Sequence, residues 1–201
     1  KYKTSFYYDI NEDKDKKHDR VIFKLSNNQK LIYNDIRKFG FIKFIKLANL
    51  DQNVHLKFLG PEPLSNKFNI RYFKSYIKGK ERNIKNVLMD QKFLSGLGNI
   101  YVNEILFFSG VRPLKKIKKL KDNEIQKIIE FSKKIISKAI VLGGSSIRDF
   151  SSSSGKKGSF QQYFNVYGKK GENCPKVKCK GKIKKIVISN RASFFCDKCQ
   201  K

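Results

Sequence analysis

The sequence predicts an α+β fold, and three observations carry that expectation. Short apolar runs separated by turn residues fill residues 1–59. Residues 123–142 repeat apolar side chains at three- and four-residue spacing. Four cysteines, the only ones in the 201-residue chain, stand at 174, 179, 196 and 199 around a segment that reads as a hairpin.

The elements follow in order. Residues 9–20 are charged and polar and read as a loop. Residues 21–25 are a short strand, 26–29 supply turn chemistry, and 30–33 begin a second strand. Residues 39–47 read as a third, completing a β-meander. Gly60-Pro61-Glu62-Pro63 is a rigid break, because proline fixes φ and restricts its predecessor. The domain boundary is placed there. Beyond it Ser65 is the expected cap of a helix running to about Ile77. Residues 84–91 and 99–109 make two short helices around Leu94-Ser95-Gly96-Leu97-Gly98, and Pro113 ends that region. In residues 123–142, Ile125, Ile128, Ile129, Ile135, Ile136, Ala139 and Ile140 mark one helical face, and Gly143-Gly144 stop it. Residues 151–159 have the Ser/Gly composition of a mobile loop. Hairpin strands are expected near residues 182–189 and 192–195. The expected division is 1–59, 60–168 and 169–201.

Composition narrows the partners. The chain carries 45 Lys+Arg against 17 Asp+Glu, a net charge of +28, with 39% hydrophobic residues and 17 Phe. A packed core is within reach, so a wholly disordered basic tail is excluded. A field this positive attracts polyanions, nucleic acid first and an anionic membrane surface second. Richness in Lys, Asn and Ile, as AT-rich coding produces, accounts for part of the charge. No apolar run approaches the ~20 residues that span a bilayer. Lys1-Tyr2-Lys3-Thr4-Ser5 has neither a signal-peptide apolar stretch nor an initiator Met, and the chain reads as a fragment.

Cys174-x4-Cys179 and Cys196-x2-Cys199 are separated by 16 residues. Two close pairs on two turns of a hairpin can place four thiolates tetrahedrally, as one structural Zn²⁺ prefers. The first spacing is longer than usual, and unrelated buried thiols or a disulfide pair are the competing readings. Lys178, Lys180, Lys182, Lys184, Lys185 and Arg191 around the hairpin suit a phosphate backbone. Gly96-Leu97-Gly98-Asn99 permits tight turns with positive φ before a helix. That helix start either offers backbone N–H groups to a phosphate or has Asn99 as a plain N-cap.

The stretch from Leu88 to Glu104 resembles the helix-two-turn-helix motif of the formamidopyrimidine-DNA glycosylase family, bacterial base-excision repair enzymes that remove oxidised purines. The resemblance covers nearly the whole chain. Lys17-His18-Asp19 looks like the end of the family's N-terminal lobe, and Asp35-Ile36-Arg37-Lys38-Phe39-Gly40 resembles its Asp-x-Arg-Arg/Lys-Phe-Gly motif. Leu59-Gly60-Pro61-Glu62-Pro63-Leu64 resembles its interdomain linker, and Gly143-Gly144-Ser145-Ser146-Ile147-Arg148-Asp149-Phe150 a further signature. Val166-Tyr167-Gly168 and the terminal Cys-x2-Cys-Gln follow in family order. The resemblance implies the remainder of an N-terminal β-sandwich lobe, a helical domain and a zinc-ribbon hairpin. It also implies a monomer acting on double-stranded damaged DNA in the bacterial cytoplasm, associated with the nucleoid.

It implies residue roles too. The lesion is flipped out of the duplex; Arg37 pairs with the orphaned cytosine and Phe39 wedges between bases. His18, Lys80 and Asn99 match positions contacting phosphates, with Lys78 or Arg82 as alternatives to Lys80. Arg191 matches the zinc-finger arginine that grips phosphates flanking the lesion and is often given a proton-donor role. The grip is the firmer expectation, since arginine stays protonated at neutral pH. Residues 151–160 match the family's flexible segment over the flipped base.

The family's nucleophile is an N-terminal proline followed by a glutamate, a secondary amine suited to Schiff-base formation. Here residue 1 is Lys1, and the prolines are Pro61, Pro63, Pro113 and Pro175. The family's catalytic lysine and void-filling methionine also fall outside the match, and Glu62 belongs to the linker. The expectation is a glycosylase with β,δ-elimination (AP lyase) activity as the full product, and a 201-residue chain that binds duplex DNA without excising bases. A non-enzymatic damaged-DNA-binding module, a ribosome-associated RNA binder, and a family member acting on oxidised pyrimidines are the competing readings. The Arg37-x-Phe39 pair, the ribbon cysteines and residues 143–150 favour oxidised purines.

Overall fold

A computed structural model of the chain describes residues 4–8, 16–36, 38–145 and 158–201. It groups into two compact units, Lys1–Ile45 with Lys138–Tyr163, and Lys46–Ser137 with Phe164–Lys201. Residues 46–59 therefore group with the helices rather than with the strands.

In the first unit, β1 (Thr4–Tyr8), β2 (Asp19–Lys24) and β3 (Lys30–Asp35) form an antiparallel sheet of order β1-β3-β2. The β2–β3 hairpin pairs Ile22 with Ile32 and turns at Asn28, whose φ of 62° is the left-handed conformation asparagine tolerates. The sequence reading missed β1. Its Phe6 lies opposite Tyr33 with ring centroids 4.9 Å apart, and 6.5 Å from Phe23, a cross-strand aromatic cluster.

The expected third strand at residues 39–47 does not form. β1 and β2 occupy both edges of β3, so the run has no edge of that central strand to pair with. Lys38, at φ 56°, also turns the chain out of the extended path. Phe39, Phe41 and Phe44 are exposed instead, and residues Leu47–Asn49 form a 3₁₀ turn.

The second unit is built on α1 (Ile70–Ile77), α2 (Ile84–Leu88), α3 (Asn99–Ser109) and the N-terminal part of α4 (Asp122–Val141). Asn69 caps α1, its side chain accepting from the Tyr72 N–H; Ser65 instead closes a turn by accepting from the Lys67 N–H. The cap is therefore four residues later than expected, and the helix shorter. Asn83 caps α2 in the same way through the Asn86 N–H. Phe73 and Phe93 meet edge-on at 5.0 Å, with Phe68 beside them, in a core with no water access.

α3 is buried along most of its length, and Gly110 closes it in the left-handed conformation. Along α4 the residues Ile125, Ile128, Ile129, Ile135 and Ala139 are buried, whereas Ile140 is exposed. The chain ends in a hairpin, β4 (Ile183–Ile188) and β5 (Arg191–Cys196), whose two-residue turn has φ of 47° at Ser189 and 59° at Asn190. Two successive positive φ values are what a right-twisted hairpin needs. Phe107 of α3 packs with Val166, Ile183, Phe194 and two cysteines, which seats the hairpin on that helix.

A cysteine cluster and a cationic cleft

The four cysteine sulfurs lie within 4.8 Å of one another. Cys174 and Cys199 Sγ are 3.7 Å apart, Cys179 and Cys196 Sγ 3.6 Å. A disulfide needs about 2.05 Å, so the thiols are free. Tetrahedral sulfurs at the usual zinc distance stand roughly 3.8 Å apart, so the set fits a four-thiolate metal site with no open position. Two backbone features shape it. Lys178 adopts φ 63° in the longer loop, which absorbs the extra residue of Cys174-x4-Cys179. A Cβ at Gly181 would lie 2.5 Å from the Cys196 sulfur, so only glycine leaves room for the cluster. Burial and neighbouring sulfurs push the Cys199 thiol up. A divalent cation would supply the charge that four thiolates need and would crosslink the two ends of the hairpin.

Next to the cluster, β5 is tied to α2 and α3 by side chains. The Lys85 ammonium donates to the Ala192 carbonyl at 3.0 Å and to Ser193 Oγ at 2.6 Å. Asn99 Nδ2 donates to the same Ala192 carbonyl at 3.0 Å. Asn103 Oδ1 accepts from the Phe194 N–H at 2.7 Å, and its Nδ2 donates to the Asn99 carbonyl at 2.6 Å. At the next residue, the buried Glu104 carboxylate accepts from the N–H groups of Asn165, Val166 and Tyr167 at 2.9–3.0 Å, fixing the chain that leads to the hairpin.

Arg191 is exposed at the start of β5, directly after the Ser189-Asn190 turn. It lines a cleft with Arg82, Lys85, Asn86, Met89, Asp90 and Ser189. Arg82 is committed there, donating to Asp90 at 2.6 Å and to the Asn86 carbonyl. Partial burial would raise the Asp90 carboxyl, but the Arg82 hydrogen bond, the Lys92 N–H and the Arg82 charge hold it below its ordinary value. Of the three alternatives, Arg82 is thus the one already neutralised. Lys80 is half-buried with its ammonium 3.2 Å from the Tyr76 ring centroid. Asn99 is the first residue of α3, and Gly98 before it is the N-cap without a side-chain bond. Asn99 is therefore not a cap; its side chain braces β5. Of the two glycines only Gly96 has positive φ, 83°; Gly98 has −109°.

In the first unit the buried Asp35 carboxylate accepts from the N–H groups of Lys38 and Gly40 at 3.1 and 2.9 Å, and from the Tyr33 hydroxyl at 3.3 Å. A Cβ at Gly40 would lie 1.7 Å from the Tyr33 oxygen. The motif's aspartate and glycine thus pin a tight loop, which leaves Phe39 77% exposed. Arg37 lies outside the described residues, as do residues 146–150 of the Gly143–Phe150 signature and residues 151–157 of the expected lid. His18 is half-buried, its Nδ1 3.4 Å from the Arg20 guanidinium. Sequence reasoning brought Asn99, Arg191 and the cysteines to one place but overlooked Lys85, Asn103 and Glu104. The signal for Lys85 was a lone lysine inside the apolar run Ile84-Lys85-Asn86-Val87-Leu88.

A family profile for the Formamidopyrimidine-DNA glycosylase H2TH domain matches residues 59–151. The Rickettsia bellii formamidopyrimidine-DNA glycosylase is 42% identical over 186 residues, covering 92% of this chain and 67% of that protein. The chain belongs to the formamidopyrimidine-DNA glycosylase family. The Roseobacter denitrificans member is 40% identical over 185 residues, with 92% of this chain and 65% of that protein covered. The chain thus spans about 65% of the length of the curated relatives first matched. A Lactococcus lactis family enzyme, an FPG mutant in complex with Fapy-dG-containing DNA, is similar at a TM-score of 0.88 and 34% identity, over 99% of this chain and 72% of that one. The same bacterium's Fpg with abasic-site DNA gives 0.87 and 34%, with the same coverage. The α+β architecture of small sheets and helices is therefore the formamidopyrimidine-DNA glycosylase fold, and no described helix is long and apolar enough to cross a membrane.

Proposed function

We propose that this chain is the larger part of a base-excision repair enzyme that removes oxidised purines, such as 8-oxoguanine and formamidopyrimidines, from duplex DNA and cleaves the abasic strand by β,δ-elimination. The observation that carries the reading is that Lys85 and Asn99 both donate to the Ala192 carbonyl, the peptide next to Arg191, and that Lys85 and Arg191 line one cleft. Those groups make a phosphate grip in a family whose solved complexes hold lesion and abasic-site DNA. Asn99, Lys80 and His18 contribute further phosphate contacts, Arg37 and Phe39 fill the gap left by the flipped base, and one structural zinc sits on Cys174, Cys179, Cys196 and Cys199. Arg191 acts by charge and hydrogen bonding to phosphate rather than by proton transfer. The reading keeps the division into a β-rich lobe (1–59), a helical domain (60–168) and a zinc hairpin (169–201), and a monomer in the bacterial cytoplasm.

The 201 residues are proposed to bind such DNA without releasing the base, because all four prolines are internal. Fluorescence anisotropy of the chain with duplexes carrying an abasic-site analogue or none tests binding; the damaged duplex is expected to bind more tightly, and both affinities to fall steeply with salt. Equal affinity for both duplexes would remove the lesion reading, and a borohydride-trapped covalent product would sink the claim of inactivity. Competition among 8-oxoguanine, formamidopyrimidine and thymine glycol by the full gene product decides the lesion class, preference for thymine glycol overturning the purine assignment.

A further inference from the structure

Lys85 is a buried cation in the second unit. Its residue is 1% exposed, yet its ammonium faces a carbonyl and a hydroxyl rather than an acid. Among the described residues no carboxylate pairs with Lys85 or with Arg191. The groups facing it are Arg191 on β5 and, from the segments flanking α2, Arg82 and Asp90, which neutralise each other. α3 contributes only the neutral Asn99 and Asn103. Two cations therefore share one cleft without a counter-charge, which favours an anion there.

The hydrogen bonds show how the lysine reaches Arg191. Ser193 Oγ accepts from Lys85 and donates to the carbonyl of Arg191 itself at 3.3 Å. The adjoining Ala192 carbonyl takes both Lys85 and Asn99. The ammonium thus bridges α2 to the two peptide units that orient Arg191, and joins them to the first residue of α3. Packing alone does not require this, because Asn99 already satisfies Ala192.

We propose that Lys85 is a positioning residue whose protonated ammonium sets Arg191 and the α3 N-terminus as one rigid phosphate grip, so that binding of a DNA phosphate at Arg191 and retention of the Lys85 proton favour each other. The inference rests on the reading of Arg191 as a phosphate contact. Burial, then the charge of Arg191, lowers the lysine's pKa to about 8 from 10.5. A phosphate on Arg191 screens that repulsion and strengthens the hold on the proton, while the cost of burial stays. Two opposite pH dependences follow. The unfolded chain holds the proton more tightly than the fold, so stability from this group rises as the pH climbs from about 8 towards 10.5. DNA affinity falls over the same range, because the neutral amine no longer anchors Arg191. A lysine with a merely structural role would not weaken binding while the fold gained stability.

The test uses the whole 201-residue chain and a duplex carrying an abasic-site analogue. Lys85→Met is expected to bind about tenfold more weakly near neutral pH. Its thermal stability should be unchanged or higher, since a buried charge is replaced by an apolar side chain of similar length. In an Arg191→Ala background the same substitution should cost less than about twofold. Wild-type affinity should drop as pH rises through about 8, and that drop should vanish in Lys85→Met. Should Lys85→Met not fold, Ser193→Ala keeps the lysine and breaks the link, with about threefold weaker binding expected. Equal losses in both backgrounds, or a pH profile that Lys85→Met leaves in place, would overturn the inference while Arg191→Ala still weakens binding. If Arg191→Ala binds as wild type does, the phosphate reading itself fails and the inference with it. The two failures differ in which single substitution is silent.

Discussion

Phe39 and Arg191 are each proposed to touch DNA, yet the chain holds them in opposite ways. The Phe39 loop hangs on one carboxylate, Asp35, and on the missing side chain of Gly40. Arg191 stands on a strand fixed by Lys85, Asn99, Asn103 and the cysteine cluster. The contrast matches the chemistry asked of each. A phosphate grip gains from rigid, preorganised donors, because misplaced charge loses hydrogen bonds. A wedge needs only an exposed flat ring on a short loop, since stacking tolerates small displacements.

The sharpest way to break the comparison is to remove the metal from the rigid side. Metal analysis should give about one zinc per chain, and Cys196→Ser should abolish it. Because the hairpin has a thin core of its own, that loss should unfold β4–β5 and eliminate measurable DNA binding, read by circular dichroism and anisotropy. Stoichiometric zinc retained in Cys196→Ser would mean a different ligand set. On the other side, Gly40→Ala should push the Tyr33 hydroxyl off Asp35, since its methyl would overlap that oxygen. A loss of ~1–3 kcal/mol in denaturant unfolding is expected, with the damage confined to the first unit. A Gly40→Ala protein as stable as wild type would show that the loop rearranges freely.

Arg191→Ala comes next in size. Stability should be unchanged within about 0.5 kcal/mol, because the side chain is exposed. DNA affinity should fall similarly on damaged and undamaged duplexes, and the slope of log affinity against log salt should flatten by about one. A loss confined to the damaged duplex would assign Arg191 to lesion recognition instead of phosphate.

How much of this was legible in the sequence divides along the same line. Local signals were readable: the spaced isoleucines of α4, a hairpin within residues 182–195, the cysteine spacing. They report on the residue's own neighbourhood. The Asp35-to-Gly40 motif was visible as a pattern, but the reason for it, a carboxylate accepting two N–H groups beneath a tyrosine, needed coordinates. The third strand was misread because apolar content at residues 39–47 says nothing about whether a sheet edge is free, and β1 had taken that edge. Lys85, Asn103 and Glu104 were overlooked for a related reason. Each bonds a segment at least 60 residues away in the chain, from Asn165 to Phe194, and no periodicity encodes that pairing.

The smallest expected effect is the one that most sharpens the contrast. Phe39 is 77% exposed, so Phe39→Ala should leave the unfolding free energy within about 0.5 kcal/mol of wild type. Its binding to undamaged duplex should be almost unchanged, since the ring carries no charge and releases no counterions. What should shrink is the preference for a duplex with an abasic site, by the worth of one stacked ring, ~1–3 kcal/mol at most. Phe39→Leu should recover part of it, because area remains while the flat face is lost. If Phe39→Ala instead weakens both duplexes alike, the ring is a general contact and the opposition between wedge and grip dissolves. If it alters only the damaged duplex, the chain separates holding DNA from probing it. The holding then lies on the metal-stapled hairpin and the probing on a loop that one aspartate secures.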